Sequence, residues 1–306
     1  FRDSDTPASK KLIEEGLALL EPDDSFGRFD AFRQLNTLAR WVGDFPGSRR
    51  YAEHALEAAR EAGRKDLMAW ATNGLASSYL WEMDLDRAEE LALEGDRLAE
   101  ESRGIVPRGD SLNIRADIAE LRGDIDEAIE LFEASIALFA EAGAILDQDC
   151  TLNHLAELVM NQGDDDRAEG LTRQAIRMLA PLGDRGYLCE SQRILAEILV
   201  HGGKIDEAER YALEAIQTVG AQDATSLATT RMSLGVVRAA QGRNDEAEAL
   251  LREAVVRASD RVPQWITATT VRRLAEFLRT RGSHEEAGEL EASVARLGGE
   301  RVPGAL

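Results

Sequence analysis

Between residues 110 and 122 the apolar residues Leu112, Ile114, Ala116, Ile118, Ala119 and Leu121 predict one helix. Gly123 and Asp124 interrupt it, and Asp126 is a candidate N-cap for the next element. Ala128, Ile129, Leu131, Phe132, Ile136 and Phe139 then follow helical spacing again and predict a second helix. Strand signals are missing: there are few β-branched alternating runs and only seven prolines.

This two-helix unit recurs. Its centre is a Gly, a few polar residues and an Ala: GDIDEA at 123–128, GDDDRA at 163–168, GKIDEA at 203–208, GRNDEA at 242–247 and GSHEEA at 282–287. MDLDRA at 83–88 fits with Met83 in place of Gly, and GSRRYA at 47–52 fits more weakly. The repeat alanines are Ala52, Ala88, Ala128, Ala168, Ala208, Ala247 and Ala287, spaced 36, 40, 40, 40, 39 and 40 residues apart. Seven residues further on stand Ala59, Gly95, Ser135, Ala175, Ala215, Ala254 and Val294, six of them small. Twelve residues before the last six alanines stand Ala76, Ala116, Ala156, Ala196, Gly235 and Ala275, with Leu before all but Ala116, which follows Arg115. Small residues at fixed helical spacing let two backbones approach, and the leucines fill the seam. A constant period of this length means a stacked array rather than an ordinary globular domain.

The pattern Leu-Ala … Gly-x-x-x-Glu-Ala … small resembles the tetratricopeptide repeat over about residues 30–297. The forty-residue period departs from the family's 34. It resembles the longer form found in kinesin light chain and in the sensor domains of bacterial multidomain regulators. The expected fold is an all-α, right-handed α-solenoid of about seven such helix pairs. Residues 1–29 are expected to hold part of an earlier repeat, with Ser9 and Gly16 keeping the seven-residue spacing. Residues 298–306 are expected to be a disordered tail. Glu285, Glu286, Glu289 and Glu291 on the last helix suit a polar cap. The N-terminus, without Met, reads as a cut from a longer chain.

Charge narrows the function. The net charge is −21, the wrong sign for a nucleic-acid binder. No apolar run approaches the length of a membrane span. Arg outnumbers Lys 32 to 4, the codon bias of a GC-rich bacterial genome. Cys150 and Cys189 predict two free, reduced thiols and a cytoplasmic protein. No phosphate loop, G-x-G-x-x-G, H-E-x-x-H or G-x-S-x-G motif is present, and the four histidines lie on four different repeats. The chain is therefore expected to be no enzyme and to carry no metal or cofactor.

The resemblance implies a concave surface built from the first helix of each pair, binding a peptide or protein segment. The column fifteen residues before the repeat alanine reads Thr37, Asn73, Asn113, Asn153, Arg193, Met232 and Arg272. Three of the chain's six asparagines share this column. An amide both donates and accepts, so such a ladder could pair with a peptide backbone, as the resemblance to kinesin light chain and peptide-pheromone receptors implies. Equally, it could tie adjacent helices together. Asp110, Asp117, Glu120, Glu157, Glu190 and Glu197 would line the middle of the groove against Arg193. That favours a basic partner, or a solvated acidic face. Towards the N-terminus the same columns bring Trp41, Phe45, Trp70, Leu80 and Trp81, which suit either an apolar anchor or a core. Two other readings remain: a small-molecule sensor using the tryptophans as a platform, and a self-association module using exposed apolar residues on the terminal helices.

Overall fold

The structure, a computed structural model, describes residues 6–21, 23–41, 44–220, 223–258, 262 and 264–296. The expected tail at 298–306 lies outside them, as do the side chains of Trp41 and Trp265. The described residues are helical with short connections and hold no strand. A lone helix, α1 (Thr6–Ala18), precedes seven helix pairs. The first helices are α2 (Ser25–Trp41), α4 (Lys65–Trp81), α6 (Ile105–Arg122), α8 (Ile145–Asn161), α10 (Arg185–His201), α12 (Ala224–Ala240) and α14 (Gln264–Thr280). Their partners are α3 (Phe45–Glu61), α5 (Leu85–Ser102), α7 (Ile125–Ala142), α9 (Asp165–Leu179), α11 (Ile205–Thr218), α13 (Asn244–Ala258) and α15 (His284–Arg296). The architecture is the expected solenoid of tetratricopeptide-like helix pairs. The first helices run 17 or 18 residues, and the partners α3, α5 and α7 are as long.

The punctuation has a local cause. Gly123, Gly163, Gly203, Gly242 and Gly282 all have positive φ, between 74° and 88°. There a residue without Cβ ends the first helix at no steric cost. Met83 occupies the same place with φ 63°, so it holds the turn of a glycine with a side chain attached. The cap sits two residues earlier than expected. Helix α7 begins at Ile125 and Asp124, not Asp126, is its N-cap residue. The equivalent Asp84 and Asp164 accept from the backbone N–H of Arg87 and Arg167. Asp126 lies inside the first turn, where its charge suits the helix dipole.

The small columns are the seams. All seven repeat alanines are buried, six of them completely. The residues seven further on are buried too. Gly235 sits where an added Cβ would come within 2.9 Å of Leu251. Around these contacts the leucines of the adjoining column fill the core: Leu75, Leu155, Leu195, Leu234 and Leu274 are buried.

The array divides into two compact units, one up to Thr151 and one from Leu152, with the boundary inside α8. Within the first unit, α2 touches α4 and α4 touches α6; within the second, α10 touches α12 and α12 touches α14. The second helices of neighbouring repeats make far less contact. Each unit therefore brings its first helices together on one side.

Candidate functional site

In the second unit the first-helix face is organised around Arg193 of α10. Only 7 % of it is exposed. Its Nε donates to Glu190 at 2.7 Å, a second donor also reaches Glu190, and a third reaches Glu197 at 3.3 Å. Glu157 of α8 lies 3.6 Å away. Glu197 is further held by Ser233 of α12 and, at 3.3 Å, by Arg273 of α14. Arg273 also pairs with Glu276. Burial works against the Arg193 charge, but Glu190, Glu157 and Glu197 outweigh it and raise its pKa. Glu157 goes the other way: burial lifts its carboxyl above the usual range, Arg193 opposes that, and Glu197 and Glu190 add to it. The expected site residues Arg193, Glu157 and Glu197 are thus brought together, largely on one another.

The first unit's face is built differently. Trp70 of α4 and Asp110 of α6 both stand eighteen residues before their repeat alanine, so they are register neighbours. Asp147 stands one helical turn earlier on α8. Arg33 of α2 places its guanidinium 6.0 Å from the Trp70 ring centre and bonds Asp30 at 2.7 Å. Burial lifts the Asp110 carboxyl well above its usual range; Asp147 adds to this, and Arg40 and Arg33 oppose it. Burial also lifts Asp147, against its own backbone N–H and Arg33. Among the described residues neither carboxylate has an ion pair within 4 Å or a hydrogen bond from another side chain. Asp117 and Glu120 of α6 are more than nine-tenths buried.

The asparagine column is not an open ladder. Asn73 is 3 % exposed; its amide donates to the Pro107 carbonyl at 2.6 Å, and the Ser111 hydroxyl donates to its carbonyl at 2.8 Å. Asn153 is equally buried and donates to the Ser191 hydroxyl at 2.9 Å. Asn113 accepts from Thr151 at 3.0 Å. Each asparagine therefore ties its first helix to the next one, 38 residues on. The expectation of three side chains presented to a ligand is corrected to this. Asn113 alone is half-exposed, and its amide hydrogens have no acceptor among the described residues. The signal that could have revealed the ties is a hydroxyl column two residues ahead, Ser111, Thr151, Ser191, Thr230 and Thr270. Asn73 also explains a small residue: a Cβ on Gly95 would come within 2.0 Å of its carbonyl oxygen.

The tryptophans do not form one platform. Trp81 stacks on Phe45 of α3, 6.2 Å between ring centres and 5° from parallel. It lies eleven residues from Trp70 along α4, roughly 16 Å. Neither cysteine forms a disulfide; Cys189 is buried and Cys150 half-buried. Among the described residues no three His, Cys, Asp or Glu side chains cluster as a metal site would require. No helix is long and apolar enough to cross a membrane.

A tetratricopeptide repeat family model matches residues 227–258, which cover α12 and α13. The fold is that of tetratricopeptide-like repeats. Its solved relatives share the fold at low identity. BtubC (BKLC) from P. vanneervenii is 22 % identical, over 72 % of this chain and 90 % of that one, with a TM-score of 0.56. A Rap protein complexed with competence and sporulation factor is 14 % identical, over 96 % and 80 %, with a TM-score of 0.69. A signal-transduction ATPase with numerous domains and a tetratricopeptide repeat sensor, from Pyrococcus horikoshii, is 14 % identical with a TM-score of 0.56. This chain covers 95 % of itself but 47 % of that protein in the match. No curated protein matches in sequence.

Proposed function

We propose that this protein is a non-enzymatic, cytoplasmic binding module that takes a peptide or protein segment on its first-helix faces. It would serve as the sensor or scaffold part of a larger bacterial signalling protein. The observation that carries this is the first unit's face, where Trp70, Asn113, Asp110 and Asp147 offer an aromatic ring, free amide hydrogens and two poorly compensated carboxylates. Buried polar groups ordinarily find partners within the fold; groups left open on a concave face suit a ligand. Two relatives support the reading: the Rap structure holds competence and sporulation factor, and the Pyrococcus protein carries this fold as a sensor. The acidic surface, with a net charge of −21, suits a basic segment or one with an apolar anchor, and neither nucleic acid nor a membrane.

A random heptapeptide array tests this. Saturable binding of a subset should be lost in Ser77→Tyr, which fills the half-exposed first-helix face of α4, and kept in Glu130→Gln on the exposed side of α7. Binding that ignores Ser77→Tyr would move the site elsewhere. A small-molecule platform is disfavoured by the separation of Trp70 from Trp81. Self-association keeps one supporting feature, Leu12 and Leu19 of the α1 region, which are 68 % and 84 % exposed. Sedimentation velocity across a concentration series would expose it.

A further inference from the structure

Helix α1 is a second helix by register. It begins at Thr6, three residues before Ser9, as α5, α7, α9, α11, α13 and α15 begin three residues before their repeat alanines. Ser9 therefore stands in the alanine column and Gly16 in the column seven further on, with Leu12 and Leu19 three and ten residues beyond Ser9. Helix α5 touches both α4 and α6, whereas α1 touches α2, the first helix that follows it. Among the described residues no first helix precedes α1. In α5 the columns three, seven and ten beyond the alanine are covered. Leu91 and Leu98 are buried, Leu98 packs on Ala69 of α4, and a Cβ on Gly95 would run into Asn73 of α4. In α7 the Ser135 hydroxyl donates to the Gly109 carbonyl of α6 at 2.9 Å. Helix α15 has a first helix before it and none after it among the described residues, and there Leu290 and Val294 still pack with Ala268 and Val271 of α14. These columns are thus the seat of a second helix's own first helix. In α1 they are open: Leu12 and Leu19 are exposed, and a Cβ on Gly16 would meet nothing within 4 Å. Ile13 and Leu17, on the other side of α1, are half-buried.

We propose that Leu12, Gly16 and Leu19 form a docking seat for an amphipathic helix of a partner protein, which lies antiparallel on α1 as a first helix lies on its second. The docked helix continues, by one more element, the interface that the other second helices already make. What the seat selects follows from the helices that fill it elsewhere. They carry small residues seven apart: Ala69 and Ala76, Gly109 and Ala116, Ala228 and Gly235, Ala268 and Ala275. Leu75, Leu234 and Leu274 precede the second small residue in three of these pairs. Small residues at that spacing let the backbone come down on Gly16, and Leu12 and Leu19 then pack against its flanks. The partner helix therefore carries two small residues seven apart, with a leucine before the second, on its apolar stripe. This surface does not rest on the segment-binding reading of the first-helix faces.

The probe is a labelled, acetylated and amidated peptide with the sequence of α14, residues 264–280, which carries this pattern. A second peptide is the same with Ala268→Leu/Ala275→Leu. Binding to the full chain is read by fluorescence anisotropy. Two protein variants accompany the parent. Gly16→Leu fills the seat while raising the helix propensity of α1, so a loss of binding does not come from a melted helix. Gly170→Leu makes the same change at an exposed glycine of α9, whose Cβ also meets nothing within 4 Å. The α14 peptide should bind the parent and Gly170→Leu saturably and alike. Gly16→Leu in the protein, or the two leucines in the peptide, should each weaken binding by about tenfold or more, the effect of an overpacked contact. Circular dichroism and the thermal midpoint establish that both variants are folded. Equal binding to Gly16→Leu, tighter binding of the more apolar peptide, or no binding at all would overturn the seat. So would a concentration-dependent dimer of the parent that Gly16→Leu abolishes in sedimentation velocity, because a second copy would then be the occupant. None of these outcomes bears on the heptapeptide test of the first-helix face at Ser77.

Discussion

Arg193 in the second unit and the Asp110–Asp147 pair in the first occupy the same kind of surface. Around Arg193, three glutamates, a serine and Arg273 leave almost every charge answered by another. Around Asp110, burial and a like-charged neighbour raise the cost of ionisation, and the arginines of α2 only partly offset it. The first arrangement locks neighbouring repeats to one another. The second costs stability. A charged column in a repeat array is therefore neither structural nor functional by its residue types. What decides is whether a counter-charge stands beside it, from its own helix or from a neighbouring repeat.

The sharpest way to break this comparison is to remove the centre of the locked face. Arg193→Ala leaves Glu157, Glu190 and Glu197 buried together without their cation, and should cost about 3–5 kcal/mol by urea denaturation at pH 7. A loss below about 1 kcal/mol would show that the network is not a lock. Seams, in contrast, should be indifferent to which unit they lie in. Ala128→Leu and Ala168→Leu each overpack a fully buried position and should each cost about 1–3 kcal/mol. A marked difference between them would mean that the repeat register does not set the packing.

The asparagine ties come next. Asn73→Ala and Asn153→Ala leave buried partners unanswered and should cost about 1–3 kcal/mol. Asn113→Ala, with one bond to Thr151 and partial exposure, should cost about 0.5–1.5 kcal/mol, yet it should affect segment binding most of the three. Equal stability losses with no difference in binding would undo the distinction. The smallest expected effect is a pH dependence. Asp110 and Asp147 have folded-state values above the ordinary carboxylate value of about 3.9. Their contribution is fully present below that value and is lost as pH rises through the folded-state value. Asp110→Asn/Asp147→Asn should therefore be more stable than the parent at pH 7, by a margin that shrinks as pH falls towards about 4. A margin that grows on acidification would have the wrong sign.

Some of the site could be read from residue order. The columns that hold Asp110, Glu157, Glu190, Arg193 and Glu197 follow from the period, and the structure does bring Arg193 to Glu157, Glu190 and Glu197. Asn73 and Asn153 were read with the right register and the wrong destination. Their side chains turn to hydroxyls 38 residues away, and the choice between a ligand and a neighbouring helix depends on inter-helix distances that residue order does not carry. Likewise, the clustering of tryptophans in sequence said nothing of Trp81 turning onto Phe45.

The sequence by itself determined the helices, their pairing and their stacking. Glycine breaks, aspartate caps and small residues at constant spacing act locally, within a turn or between adjacent helices, so period alone specifies them. The tertiary structure alone decided which charges and amides are spent inside the fold and which are left open. Many of those partners come from helices more than thirty residues apart, and a shift of an ångström separates a hydrogen bond from an open donor.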